Sequence, residues 1–182
     1  MSFIMTFTGK HIDFRNISEN SFSIEDIATA LSNTCRFAGH LENFYSVAQH
    51  SVHCSELVAP ELAFEALMHD AAEAYLGDVT APLKALLPDY RRIEKQVETA
   101  IRQKYKLPQQ QTPAVKRADL IMLATERRDF GMDDGTPWVM LDGIAPASFV
   151  IEPMPPRQAK ALFIKQFFKL GGLSNIPLED WR

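Results

Sequence analysis

Cysteine is scarce in this chain: Cys35 and Cys54 are the only two among 182 residues. Two do not make a disulfide framework at this length, so a reducing, cytoplasmic setting is the expectation. Long apolar runs are also missing. No segment approaches the roughly 20 residues of a membrane-spanning helix, and Met1-Ser2-Phe3-Ile4-Met5-Thr6 lacks the basic-then-apolar order of a secretion signal, so no membrane partner is expected. Nor is there an excess of positive charge. A formal net charge of -4 argues against a protein whose main work is to coat nucleic acid, while leaving room for a local basic pocket. Internal repeats are lacking, and the only low-complexity stretch is Gln109-Gln110-Gln111.

What remains is the composition of an ordinary globular protein. Hydrophobic residues make up 46% and charged ones 23%, which disfavours disorder, and the length suits a single domain over residues 1–182. Helical periodicity dominates. Residues 3–14 alternate loosely around Thr8-Gly9-Lys10 and read as a short hairpin or irregular arm packed on the body. Ser23, with Asp26 three residues on, looks like an N-cap opening a helix through Ile24, Ile27, Ala28 and Leu31. Asn43 can cap a second helix carrying Tyr45, Val47, Ala48, Val52 and Leu57. A third is expected from about Pro60 to Gly77, which suits a left-handed stop. Residues 89–105 are amphipathic, and Thr112-Pro113 opens another helix. The segment from Asp129 to Pro156 reads as irregular, and Arg157 to Leu170 as the last helix. The expected fold is all-α, a bundle of about six or more helices with a short N-terminal hairpin or arm.

The unusual stretch is Met68-His69-Asp70-Ala71-Ala72-Glu73. An adjacent imidazole and carboxylate sit in an apolar, helix-forming run, with a second carboxylate three residues on. Burying unpaired carboxylates is costly, so the cluster asks for a cation or a hydrogen-bond network. Each candidate has an ordinary explanation when taken alone: a helical His is commonly a satisfied core residue, and Asp119, Glu73 or Asp78 a solvated or salt-bridged acid. Together they are harder to dismiss. Asp119 sits against the apolar run Leu120-Ile121-Met122-Leu123, and three separate helices offer imidazole or carboxylate groups from otherwise apolar faces. A borderline divalent metal prefers such a mixed nitrogen and oxygen set, whereas calcium takes oxygens.

Five stretches carry a resemblance. They are Asn33-Thr34-Cys35-Arg36-Phe37-Ala38-Gly39-His40, Phe44-Tyr45-Ser46-Val47-Ala48-Gln49-His50-Ser51, Ala66-Leu67-Met68-His69-Asp70-Ala71-Ala72-Glu73-Ala74-Tyr75, Asp78-Val79-Thr80-Ala81-Pro82-Leu83-Lys84 and Val115-Lys116-Arg117-Ala118-Asp119-Leu120. In this order, over a motif core of about residues 33–130, they resemble the HD-domain metal-dependent phosphohydrolases. The likeness is to the nucleotidase branch, with the bacterial 5′-deoxynucleotidases and small prophage relatives of the YfdR type. It implies an HD-domain helical bundle holding one divalent ion (Mn, Co, Zn, Fe or Mg) through His50, His69, Asp70 and Asp119, with positions left open for water and a phosphate oxygen. The count of awkwardly placed donors gives the same four.

The resemblance further implies that Glu73 orients or deprotonates the attacking water and that Asp78 protonates the leaving oxygen, roles that can be exchanged. Arg36 and Lys84 look like phosphate-binding cations, Phe37 like a stacking partner for a base, and Thr80 like a hydroxyl donor. The expected activity is that of a 5′-nucleotidase releasing phosphate from (deoxy)nucleoside monophosphates. The alternatives are a deoxynucleoside triphosphate triphosphohydrolase, a hydrolase of cyclic nucleotides or guanosine tetraphosphate, and, in another class, a non-catalytic nucleotide-sensing domain. The expected partners are a nucleotide substrate and a second copy of the chain in a homodimer, with no stable nucleic acid complex. His53 reads as a neighbour of the metal-bearing face or simply as core, and His40 as a loop residue near substrate or without a task. Cys54 lies on the helix of His50, where a thiolate ligand would want a second soft partner; Cys35 and His11 read as structural.

Overall fold

A computed structural model of the chain describes residues 2–18 and 22–172. It is mostly helical, as the periodicity predicts. Strands β1 (Ile4–Met5) and β2 (His11–Ile12) pair antiparallel, Ile4 opposite Ile12. Gly9, at φ +82°, makes the turn between them in a conformation that side-chain-bearing residues avoid. The hairpin is fastened to helix α1 (Ile24–Asn33) through Asp26, whose carboxylate accepts from the Thr8 amide at 2.7 Å and the Thr8 hydroxyl at 2.8 Å. Ser23 caps α1 by accepting from the Asp26 amide, satisfying a backbone donor that has no partner inside the helix.

Helix α2 (Val47–Glu56) runs through the middle and packs against α1, α3 (Ala63–Leu67), α7 (Pro113–Asp129) and α8 (Pro156–Lys169). The main core gathers Ile27, Leu31, Val52, Leu67, Phe163 and Phe167, each buried, with Ile12 of the hairpin joining it. Helix α6 (Pro88–Lys104) lays Val97, Ala100 and Ile101 on the same core. Short helices α4 (Glu73–Leu76) and α5 (Ala81–Ala85) form the link between α3 and α6. No helix among the described residues is long and apolar enough to cross a membrane.

Two local expectations change. The cap of α2 is Ser46, not Asn43; the Ser46 hydroxyl accepts from the Gln49 amide at 3.1 Å. The segment 60–77 is not one continuous helix. Pro60–Leu62 is a 3-10 turn, α3 stops at Leu67, and turns occupy 68–72 before α4 begins. The cause is at the His-Asp pair: the His69 ring Nδ1 donates to the Ala66 carbonyl at 2.8 Å, an oxygen the helical ladder would offer to the Asp70 amide. The following amides instead bond three residues back, Ala71 to Met68 and Glu73 to Asp70. The irregular segment 130–155 is bound to the body: Arg128 donates to the carbonyls of Ala147 and Phe149, and Gln49 brackets Glu152 and Met154.

Candidate metal centre

The centre is assembled from α2, the turn at 68–72 and α7. His50 is fully buried on α2, and its Nδ1 lies 2.6 Å from Oε1 of Glu126. A carboxylate only accepts, so Nδ1 carries the hydrogen and Nε2 faces the other way. His69 repeats the arrangement. Its Nδ1–H goes to the Ala66 carbonyl, and its buried Nε2 has no hydrogen-bond partner. Both rings therefore present Nε2 to the same space, where Asp70 and Asp119 also point.

Four separations define that space. His50 Nε2 lies 3.7 Å from Asp70 Oδ2 and 3.4 Å from Asp119 Oδ1, and His69 Nε2 lies 3.1 Å and 4.0 Å from the same two atoms. Donors about 2.1 Å from one ion are about 3.0 Å apart at a right angle and about 4.2 Å apart when opposite, so all four separations suit a shared ion. Cys54, one turn after His50, closes the group. Its Sγ is 3.4 Å from His50 Nε2, and His50, Cys54 and His69 offer donor atoms all within 4.8 Å of one another, a group able to hold a metal ion.

The electrostatics of the group favour positive charge among its carboxylates. Burial pushes the Asp70 carboxyl up, but His69 and His50 outweigh it and hold it down to about 2. Asp119 is lowered further, its burial outweighed by His50, His69 and Lys116. For His50, burial and Arg36 act against the charged form, yet Cys54, Glu126 and Asp119 raise it well above the ordinary imidazole range. The surroundings that favour positive charge on His50 would also favour a metal ion at that place.

Glu73 and Asp78 lie beside this group. Burial, reinforced by Asp70 and Asp78, drives the Glu73 carboxyl well above its usual range, and its buried Oε2 has no hydrogen-bond partner. Asp78 is raised more moderately, by burial and by Asp70 against the pull of Arg36. Arg36 is tied to Glu126 at 2.9 Å and acts electrostatically on Asp70, Asp78 and Glu73. Phe37 lies against it, ring centre 5.3 Å from the guanidinium carbon, in a turn where Phe37 and Ala38 both take φ above +50°. Such left-handed backbone costs about 1–3 kcal/mol per non-glycine residue, and it is found where a site must hold a side chain in place.

Two expected substrate residues stand farther out. Lys84 Nζ is bonded to Glu94 at 2.6 Å, with Glu73 a weaker electrostatic neighbour. Thr80 is exposed and serves as the residue before α5, its carbonyl accepting from the Lys84 amide. The remaining histidines sort plainly. His53 packs on Phe149 and reaches Glu56, His40 is exposed, and His11 stacks on Phe3. A polar cleft of about 300 Å³ opens beside His69, Asp70 and Asp119, with Lys95, Arg102 and Lys116 on its walls. A larger cleft of about 690 Å³, between Phe14, Ile17 and α6, gathers no cluster of imidazoles and carboxylates.

Glu126 is the residue the sequence reading passed over. It sits two turns beyond Asp119 on α7, a spacing that returns to the same helix face, and that spacing was the available signal. No family model matches the chain. The chain is 56% identical to the protein YfdR of Escherichia coli K12 over 174 residues, 95% of this chain and 98% of that protein. A Rhodobacter capsulatus protein is 32% identical over 121 residues, 61% of this chain and 62% of its own length.

Proposed function

The chain belongs to the YfdR family, and we propose that it is a metal-dependent phosphohydrolase of the HD type that releases phosphate from (deoxy)nucleoside monophosphates. One observation carries the reading: two buried imidazoles, each anchored through Nδ1–H, turn Nε2 toward a pair of carboxylates at 3.1–4.0 Å. His50, His69, Asp70 and Asp119 would hold the ion. When bound, it supplies Lewis acidity, polarising a phosphoryl oxygen and making water acidic enough to attack at neutral pH.

This chain's own residues do the rest. Glu73, with a free oxygen beside Asp70, orients the attacking water and takes its proton. Asp78 delivers a proton to the leaving oxygen, a role it can exchange with Glu73, since burial raises both carboxyls. Arg36, fixed by Glu126, offsets negative charge on the phosphoryl oxygens through its remaining N–H groups; Nε has no partner in the fold. No covalent intermediate is required. The supply of further cations favours the monophosphate over the triphosphate. Lys84 is engaged by Glu94, Arg127 by Asp133, and Arg128 by Asp129 and two carbonyls, while Lys95, Arg102 and Lys116 on the cleft walls are paired with Glu98, Glu65 and Asp119, so that a longer phosphate chain would have to break such pairs or recruit the exposed Arg117.

The test is a metal-supplemented screen for release of phosphate, pyrophosphate and triphosphate across nucleoside mono-, di- and triphosphates. Phosphate from monophosphates is the expected result. Triphosphate from deoxynucleoside triphosphates would move the substrate assignment, and nucleotide binding without any release would make the protein a sensor. Glu73→Ala should keep the ion and slow turnover by about 10²–10⁴.

A further inference from the structure

The thiol of Cys54 has no place in the hydrolytic scheme, yet it lies closer to His50 Nε2 than the Asp70 carboxylate does. The two separations are 3.4 Å and 3.7 Å. His50 and Cys54 are four residues apart on α2, which stacks their side chains on one face, as in a helical pair of ligands clamping a single ion. With metal–sulfur near 2.3 Å and metal–nitrogen near 2.0–2.1 Å, a 3.4 Å separation subtends about 100° at a common ion, close to tetrahedral. Cys54 belongs to a buried apolar cluster with Tyr45, Met122 and Ile151, and its sulfur has a polar contact with the His50 ring. Independently, the buried Nε2 of His69 makes no hydrogen bond among the described residues, faces the Asp70 carboxylate at 3.1 Å, and belongs to the same group.

Resting on the metal-centre reading above, we propose that Cys54 is a thiolate ligand of that ion, so that the centre selects a thiophilic borderline cation over a hard one. The step balances simply. As the ion enters, the S–H bond breaks, a sulfur–metal bond forms, and the thiol proton leaves to solvent. Soft thiolate donors favour zinc, cobalt and ferrous iron, whereas magnesium and manganese gain little from sulfur. The second soft partner that a cysteine ligand wants is replaced here by two imidazoles of intermediate softness. Such an ion keeps His50, His69 and Cys54 and one or both carboxylates. A hard ion is held by the histidines and carboxylates alone.

Cobalt(II) reports the coordination directly, without reference to turnover. The full-length protein, stripped of metal, is titrated with Co²⁺ and followed by absorption, alongside Cys54→Ala and Cys54→Ser. Wild type should show both visible ligand-field bands and a near-ultraviolet sulfur-to-cobalt charge-transfer band. Cys54→Ala should keep the former and lose the latter, and its Zn²⁺ affinity should fall at least about tenfold while Mn²⁺ binding is unchanged. Ligand-field bands without charge transfer in wild type overturn the inference and leave the metal centre standing. A charge-transfer band that survives in Cys54→Ala overturns it as well, since Cys35 would then be the donor. Failure of wild type to take up Co²⁺ removes both readings. If Cys54→Ala folds poorly, Cys35→Ser separates the two thiols: the charge-transfer band should persist in it, and its loss there would overturn the inference.

Discussion

Between Arg36 and His50, Glu126 is fully buried and accepts two charge-assisted hydrogen bonds, at 2.9 Å and 2.6 Å. It therefore orients two groups at once, the ring that faces the carboxylates and the guanidinium whose field reaches Asp70 and Asp78. Removing it with Glu126→Ala strands Arg36 and should cost about 3–5 kcal/mol of folding stability, read by denaturant unfolding. Glu126→Gln keeps the shape but weakens the hold on Nδ1–H. Metal affinity should fall about 10–100-fold, measured by competition with a chromophoric chelator. The raised pKa of His50 has a consequence of its own. The raised pKa strengthens the proton's competition with a metal ion at this ring, so metal uptake should release protons and affinity should drop as pH falls. Calorimetric titrations in two buffers of different ionisation enthalpy should give different apparent heats; equal heats would contradict the assignment.

Two elements show how far sequence can be read, and where it stops. The α1 cap was visible because Ser23 and Asp26 stand at capping distance before an apolar repeat, and both positions do what local chemistry asks of them. The break at 68–72 was not visible. It depends on His69 bonding a carbonyl that a helix of the same composition would use for its own ladder, a choice made by the site and not by propensity. Four donors of the centre were legible as carboxylates and imidazoles on apolar faces, but Lys84 was assigned by motif position alone, and its pairing with Glu94 on α6 had no local sign. At this scale the hairpin gives a pH test. Burial pushes the Asp26 carboxyl up, but bonds from Ser23 and Thr8 more than offset it, so its folded pKa lies below that of an ordinary aspartate. The contribution is thus complete above the unfolded pKa and disappears as pH falls through the lower folded one. The Thr8 amide should lose protection from hydrogen exchange in that acid window, and in Asp26→Asn it should exchange faster even at neutral pH. Ser23→Ala should cost about 1 kcal/mol in global unfolding.

Across the whole molecule, the centre joins segments far apart in sequence: α2, the turn after α3, and the first half of α7. An ion bound there ties them together in the native state only. It should stabilise folding by about 2.7 kcal/mol at a free concentration of 100 times Kd, and a chelator should lower the melting temperature accordingly. Helix content and the core were legible because apolar periodicity fixes them; the closeness of α2 to α7 follows from packing over long sequence separation, which periodicity does not encode. The central claim is that His50, His69, Asp70 and Asp119 hold one ion, and it is tested most directly by titrating Mn²⁺ or Zn²⁺ into metal-free wild type and Asp70→Ala. Wild type should bind one equivalent, and Asp70→Ala, with unchanged helical circular dichroism, should bind none at the same concentrations. Equal, stoichiometric binding by both proteins would contradict it.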